Sequence, residues 1–241
     1  MKLENTGIID NESEVTNLAE GYTTTPREST QAEYINYNQP FSSGNMYSTI
    51  NDLLKFTKSV MNGHLISIEK TKEIFESGAY YGYGWGIRNF DGLKAFGHYG
   101  GMNGFVGSLT YISKEEYFIC FLTNDDNTPK VRLTSDLVAI LQGQDISPPE
   151  ELKTIDLSEE IINQIVGSYK VKNKSVLHIF KENDKLYMQE TNQDKHEMFA
   201  YENYKFSFEL LEFNVVFENL KEGKTQLLKF VGRETILVAE R

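Results

Sequence analysis

Cysteine occurs once in the 241 residues, at Cys120, which excludes an intrachain disulfide framework and a cysteine zinc cluster. Its neighbours in Tyr117-Phe118-Ile119-Cys120-Phe121-Leu122 are apolar, so the thiol reads as buried and inert. Proline is scarce at 5 positions, and no repeat or low-complexity tract occurs, which excludes collagen-like and solenoid chains. No stretch approaches the ~18 apolar residues of a membrane helix, and Met1-Lys2-Leu3-Glu4-Asn5-Thr6 has no apolar signal core. Basic side chains are outnumbered, 24 against 35 acidic, for a net charge of −11. A phosphate-backbone binder needs the opposite field, so nucleic acid is not expected as a partner.

What is present suits a packed core: 39% hydrophobic and 12% aromatic residues, with 18 glycines. One large or two small domains fit this length. Residues 1–150 hold 11 basic and 19 acidic groups, residues 151–241 hold 13 and 16, and the composition shifts at the same point. The first part is Gly- and Tyr-rich with helical patterns, whereas the last ninety residues or so read as short alternating strands. Between them Gln142-Gly143-Gln144-Asp145-Ile146-Ser147-Pro148-Pro149-Glu150 stops a helix and favours an extended linker. The expected domains are therefore 1–146 and 150–241.

Ile50, Leu53, Leu54 and Met61 recur at helical spacing, with Ser48 or Thr49 able to cap the start and Gly63 the end. A second helix is expected near Ser67, placing Ile68, Ile74 and Phe75 inward. Gly82, Gly84 and Gly86 interrupt an aromatic run, as in strands or turns whose backbones approach closely. Phe105–Ile112 and Tyr117–Asn124 read as two strands joined by Ser113-Lys114-Glu115-Glu116. The second is apolar on both faces, which predicts a central strand in a sheet covered on each side. Pro129 then suits the first turn of a helix whose face of Leu133, Leu137, Ile140 and Leu141 would pack on that sheet.

In the tail, seven strands are predicted at 167–171, 176–181, 185–189, 206–211, 214–218, 227–231 and 235–239, of roughly eight in all. The turns Glu182-Asn183-Asp184 and Lys221-Glu222-Gly223 support a small antiparallel barrel. The fold class expected is α+β: an antiparallel sheet with helices, then a small all-β barrel.

Chemistry concentrates in Gly97-His98-Tyr99-Gly100-Gly101-Met102-Asn103-Gly104-Phe105. Dense glycine lets a ligand approach main-chain N–H groups, and the imidazole supplies a donor or proton carrier. By spacing alone the signal is modest, and a glycine-rich turn with a structural histidine is the more ordinary reading of the stretch.

Four stretches in order, Gly44-Asn45-Met46-Tyr47-Ser48-Thr49-Ile50-Asn51-Asp52-Leu53, Tyr81-Gly82-Tyr83-Gly84-Trp85-Gly86, Gly97 through Phe105, and Leu122-Thr123-Asn124, resemble the C-terminal half of the serine β-lactamase and penicillin-binding-protein family, class C branch. The resemblance spans about residues 1–143, and the opening Leu3-Glu4-Asn5-Thr6-Gly7 is similar to the segment after that family's second motif. The tail resembles the lipocalin-like barrel appended to some members. The resemblance implies acyl transfer through a Ser-x-x-Lys nucleophile, a Tyr-x-Asn motif and a Lys-Thr-Gly-like strand often written His-x-Gly. Only the third stands in context. It implies His98 beside the substrate carboxylate, Gly101 N–H as one of two oxyanion donors, and Tyr99, Gly100 and Asn103 as substrate-binding positions, with no cofactor and no metal.

Two lookalikes lie elsewhere. Ser67-Ile68-Glu69-Lys70 matches Ser-x-x-Lys but falls where the family has an ordinary helix, and Ser67 reads as its N-cap. Tyr34-Ile35-Asn36 matches Tyr-x-Asn out of order. The glycines at 82, 84 and 86 lack the strand and helix context of a nucleotide loop, and His64, His178 and His196 have no second ligand at metal spacing. Asp125-Asp126 reads as turn residues favouring the following helix.

These residues predict a C-terminal portion of a serine hydrolase acting on β-lactams, D-Ala-D-Ala peptides or esters, inactive alone, whose partner is the missing N-terminal half. The alternatives are a non-catalytic module binding wall peptide or another partner, and a rearranged site built on Ser67 and Lys70. In the resembled fold the absent half pairs with and covers the same sheet, so an exposed edge and self-association are expected. The family implies an extracytoplasmic location.

Overall fold

The computed structural model describes residues 1–9, 15–76, 80–148, 153–172, 175–208, 213–231 and 236–241. It is mixed α+β, with antiparallel sheets, few helices and a closed eight-stranded barrel. The chain divides into two units, Met1–Thr23 with Thr30–Ser147, and Thr24–Ser29 with Pro148–Arg241.

The chain opens with short pieces: β1 (Gly7–Ile8) pairs with β4 (Met46–Tyr47), and β2 (Tyr22–Thr24) with β3 (Ser29–Gln31). Helix α1 (Ile50–Met61) starts where Thr49 accepts a hydrogen bond from the Asp52 N–H, and Gly63 follows its end at φ 74°. Asp52 is 1% exposed. Its carboxylate accepts from the Asn5 N–H at 2.8 Å, Thr6 Oγ1 at 3.1 Å and Lys55 Nζ at 3.0 Å, tying the chain's first residues to the helix. The Asn5 N–H, then Lys55, hold this carboxyl below the ordinary 3.8. A lowered native value means the stabilisation is full above the unfolded value and disappears as pH falls through the native one. Asp52→Asn is therefore expected to lower the thermal midpoint at pH 6 and to converge with the parent well below pH 3.8. Fluorescence of the only tryptophan, Trp85, reads this transition. Equal midpoints across the whole pH range would refute it.

In α2 (Ile68–Glu76), Phe75 is buried, but Ile68 is 50% exposed, because it sits at the first turn beyond the reach of the sheet. The side chain of Ile74 lies outside what the structure describes. The sheet runs in the order β5 (Tyr81–Gly82), β6 (Trp85–Phe90), β7 (Leu93–Met102), β8 (Phe105–Ile112), β9 (Tyr117–Thr123). Two-residue turns at Tyr83-Gly84 and Asp91-Gly92 have positive φ at both positions, the conformation that matches strand twist. One face packs Trp85 and Phe96 on Val60 of α1 and Phe75 of α2. The other packs Ala95, Ile112 and Ile119 on Val138 of α3 (Lys130–Leu141).

Two expectations are corrected here. β9 lies at the edge of the sheet, not its centre. Ile119 is buried with Val138 of α3 and α1 lies against the strand, but Leu122 stays 46% exposed, so two-sided apolarity reported partial cover by helices and not flanking strands. On α3 the inward face is Thr134 and Val138, with Leu137 beside them, while Ile140 is 55% exposed and Leu141 is also exposed. The helix turns toward β8 through a hydroxyl pair, Ser108 Oγ and Thr134 Oγ1 at 3.0 Å, which shifts the buried stripe. Among the described residues no helix is long and apolar enough to cross a membrane.

The second unit is a barrel of nearest-neighbour antiparallel strands: β10 (Gly167–Val171), β11 (Val176–Glu182), β12 (Lys185–Glu190), β13 (Lys195–Glu202), β14 (Lys205–Phe208), β15 (Asn214–Lys221), β16 (Lys224–Val231) and β17 (Ile236–Glu240), with β17 pairing back to β10. Its eighth strand is β13, and the expected positions 209–211 and 235 lie outside the described residues. Alternate side chains fill the interior, Tyr169, Phe206, Phe217 and Leu228 among them. The short helix α4 (Glu159–Ile165) inserts Ile165 into this core.

Candidate functional site

The site grows from β7, whose three glycines differ in role. At Gly97 an added Cβ would lie 1.9 Å from the Leu109 carbonyl oxygen, so backbone approach demands glycine. At Gly100 and Gly101 a Cβ would meet nothing within 4 Å. β6 pairs with β7 only from Phe90↔Leu93 to Gly86↔Gly97, while β8 follows β7 through Met102↔Phe105. Along His98–Met102 the other edge of the strand thus has no strand partner among the described residues.

Just past that limit the exposed His98 is held by two contacts. Its Nδ1 lies 2.5 Å from the Tyr99 carbonyl and its Nε2 3.0 Å from the Tyr81 hydroxyl. Tyr99 is half-buried, with the Arg88 guanidinium carbon 3.9 Å from its ring centroid. The Tyr99 hydroxyl and Arg88 Nη1 are buried without a hydrogen-bond partner among the described residues. That stacking holds the strand beside the two open glycines.

A groove of about 410 Å³ is lined by Ile35, Gln39, Pro40, Ser43 and Gly44 from one segment and by Gly101, Met102 and Asn103 from β7 and its turn. Gly101 and Asn103 are thereby brought together on one wall. His98, Tyr99 and Gly100 lie on the same strand but outside the lining. The turn is pinned from below: Asp126 Oδ2 accepts from the Gly104 N–H at 2.9 Å and from Thr23 Oγ1 at 2.7 Å. Gly104, at φ 77°, abuts Gly21, whose Cα would be 2.6 Å from an added Cβ. Asp125 Oδ1 accepts from the Asn127 N–H, a turn contact. Asp126 therefore shapes the groove's wall, a role that sequence reading missed, since its partners lie 22 and 103 residues away.

The lookalike motifs are built differently. Ser67 Oγ accepts from the Lys70 N–H at 3.3 Å, and Lys70 Nζ is 2.5 Å from Glu73. That hydrogen bond raises the lysine above its usual range, so it is a charged ammonium with no lone pair for a serine proton. Tyr34 is 78% exposed, and Asn36 Oδ1 accepts from the Asn38 N–H, yet Ile35 between them lines the groove. Ser43 is the groove's one hydroxyl, and it donates to the Pro40 carbonyl at 2.5 Å. Burial pushes the half-buried Cys120 thiol up to about 11, so it is no nucleophile at neutral pH. His178 sits between Ser168 and Thr191 hydroxyls, and the described residues contain no cluster of three or more metal-ligating side chains.

A profile of the family described as Beta-lactamase matches residues 1–143. The chain is similar to Penicillin-binding protein 4* of Bacillus subtilis (strain 168), 24% identical over 208 residues, a match covering 80% of this chain and 46% of that protein. It is also similar in fold to a solved structure described as the octameric penicillin-binding protein homologue from Pyrococcus abyssi. There the identity is 20% and the TM-score 0.51, over 99% of this chain and 57% of that one. The chain spans about half the length of either relative.

Proposed function

The chain belongs to the Beta-lactamase family, and from that premise we propose that it forms the C-terminal, substrate-strand portion of a class C-like serine acyl hydrolase. The substrates are β-lactams, D-Ala-D-Ala peptides or related esters, the intermediate is an acyl-enzyme, and the attacking serine comes from polypeptide other than these 241 residues. One observation carries this reading: the half of β7 that holds His98, Gly100 and Gly101 has an edge with no strand partner among the described residues and opens at Gly101 onto a groove. An acyl group lying along such an edge meets main-chain N–H groups that need no reorganisation, the arrangement that stabilises a developing oxyanion.

Strand geometry supports Gly101 as the donor. In an extended chain the carbonyl of residue i and the N–H of residue i+2 point to the same edge, and the Tyr99 carbonyl is engaged by the His98 ring. The two flanking side chains with amides, Gln39 and Asn103, suit a peptide-like acyl portion, while Ile35, Pro40 and Met102 suit its apolar part. The serine and lysine at motif spacing, Ser67 and Lys70, support no attack, because Lys70 is spent on Glu73.

The test is labelling with a fluorescent penicillin. The chain alone is expected to remain unlabelled, and to label once a polypeptide carrying the N-terminal half of a relative's catalytic domain is added. Labelling of the chain alone that vanishes in Ser67→Ala would overturn the assignment in favour of a rearranged site. No labelling under either condition, with retained binding of a D-Ala-D-Ala peptide, would make the protein a non-catalytic binding module.

A further inference from the structure

Among the described residues the Tyr81 hydroxyl is the one side-chain group that touches the His98 imidazole, and the chemistry of that contact is determined by the other ring nitrogen. A carbonyl oxygen carries no proton, so Nδ1, at 2.5 Å from the Tyr99 oxygen, must be the N–H that donates. In the neutral ring Nε2 is then the acceptor, and the Tyr81 hydroxyl, at 3.0 Å, donates to it. The two rings meet edge to face, with centroids 5.7 Å apart and planes at 75°. We propose that Tyr81 is a positioning residue for His98: the Tyr99 carbonyl selects the Nδ1–H tautomer, and the Tyr81 hydroxyl, by engaging Nε2, keeps the imidazole on that carbonyl and in one plane beside the edge of β7 that has no strand partner among the described residues. The inference rests on the reading of His98 as the residue beside the acyl substrate.

The fold gives a reason for needing such a holder. β6 does not follow β7 past Gly97, so among the described residues His98 has no strand neighbour on that side to restrict its ring, and an exposed imidazole free in solvent samples both tautomers and several rotamers. β5 supplies the missing restraint. Tyr81 pairs in register with Gly86, which in turn pairs with Gly97, the residue before His98. Tyr81 is otherwise 54% exposed and lies outside the three buried apolar clusters, so burial does not explain its placement.

The experiment is long-range proton–nitrogen NMR of the uniformly nitrogen-15-labelled chain, with His98→Gln used to assign the His98 ring among the four histidines. The parent is expected to show Nδ1 at the protonated position and Nε2 at the unprotonated one. Tyr81→Phe removes one oxygen and leaves the exposed ring with the Tyr99 contact alone; it is expected to release the ring from that carbonyl part of the time, which admits the Nε2–H form and moves both resonances toward each other, with the thermal midpoint unchanged. Tyr83→Phe, on the same hairpin, is expected to move neither. Ring shifts unaltered by Tyr81→Phe, or a parent in the Nε2–H form, would overturn the proposal. The readout needs no substrate, so failure of penicillin labelling leaves this result standing, and its own failure leaves the acyl-transfer reading standing.

Discussion

Gly97→Ala is expected to unfold the first unit, while Gly100→Ala and Gly101→Ala fold as well as the parent. The three substitutions add the same methyl group within five residues of one strand. At position 97 that carbon would sit 1.9 Å from the Leu109 oxygen and 2.9 Å from Thr110 Cα, both backbone atoms of the neighbouring strand. Relief requires pulling β7 and β8 apart along their whole register, a change beyond the ~1–3 kcal/mol usual for an overpacked side chain. At 100 and 101 the added carbon meets nothing within 4 Å. Neither residue has a positive φ, so loss of unfolded-state freedom favours alanine there by ~0.4–1 kcal/mol. Urea unfolding followed at Trp85 measures all three. A Gly97→Ala protein with the parent's midpoint would mean that the β7–β8 register is wrong.

His98→Ala is expected to leave that unfolding curve in place and to remove most of the acylation rate in the protein reconstituted with its nucleophile-bearing half. The side chain is exposed and among the described residues makes only the Tyr81 and Tyr99 contacts, so little stability is at stake. A positioned group that handles a proton or opposes developing charge in the transition state contributes ~10²–10⁴-fold, and a loss of that size in kcat/KM is the outcome the acyl-transfer reading requires. Single-turnover labelling with a chromogenic cephalosporin gives the number. Turnover equal to the parent's would take His98 out of the site, leaving Gly101 and the groove to be explained without it.

Local signals were well preserved between sequence and fold. Thr49 caps α1 and Gly63 closes it as their residue types demand. Asn183-Asp184 and Glu222-Gly223 take the left-handed turns that set the barrel's hairpins. The barrel followed from alternation because one face of each strand must be apolar to fill a closed interior. Alternation failed where the same apolar residue serves more than one environment. In β9 an apolar run meant partial cover by helices at the rim of a sheet, and in α3 the exposed Ile140 and Leu141 looked like a core face that Thr134 and Val138 occupy instead.

The candidate site divides along the same line. Amino-acid order determined that a histidine and two glycines stand together in one short stretch; that they share a strand was implied by the family resemblance, while spacing alone read the stretch as a glycine-rich turn. Only the tertiary structure decided that Gln39 and Ser43 face Gly101 across a groove, that Asp126 grips Gly104, and that Tyr81 reaches His98. Contacts closed over tens of residues are selected by register and packing of the whole sheet, and no local propensity encodes which distant side chain arrives.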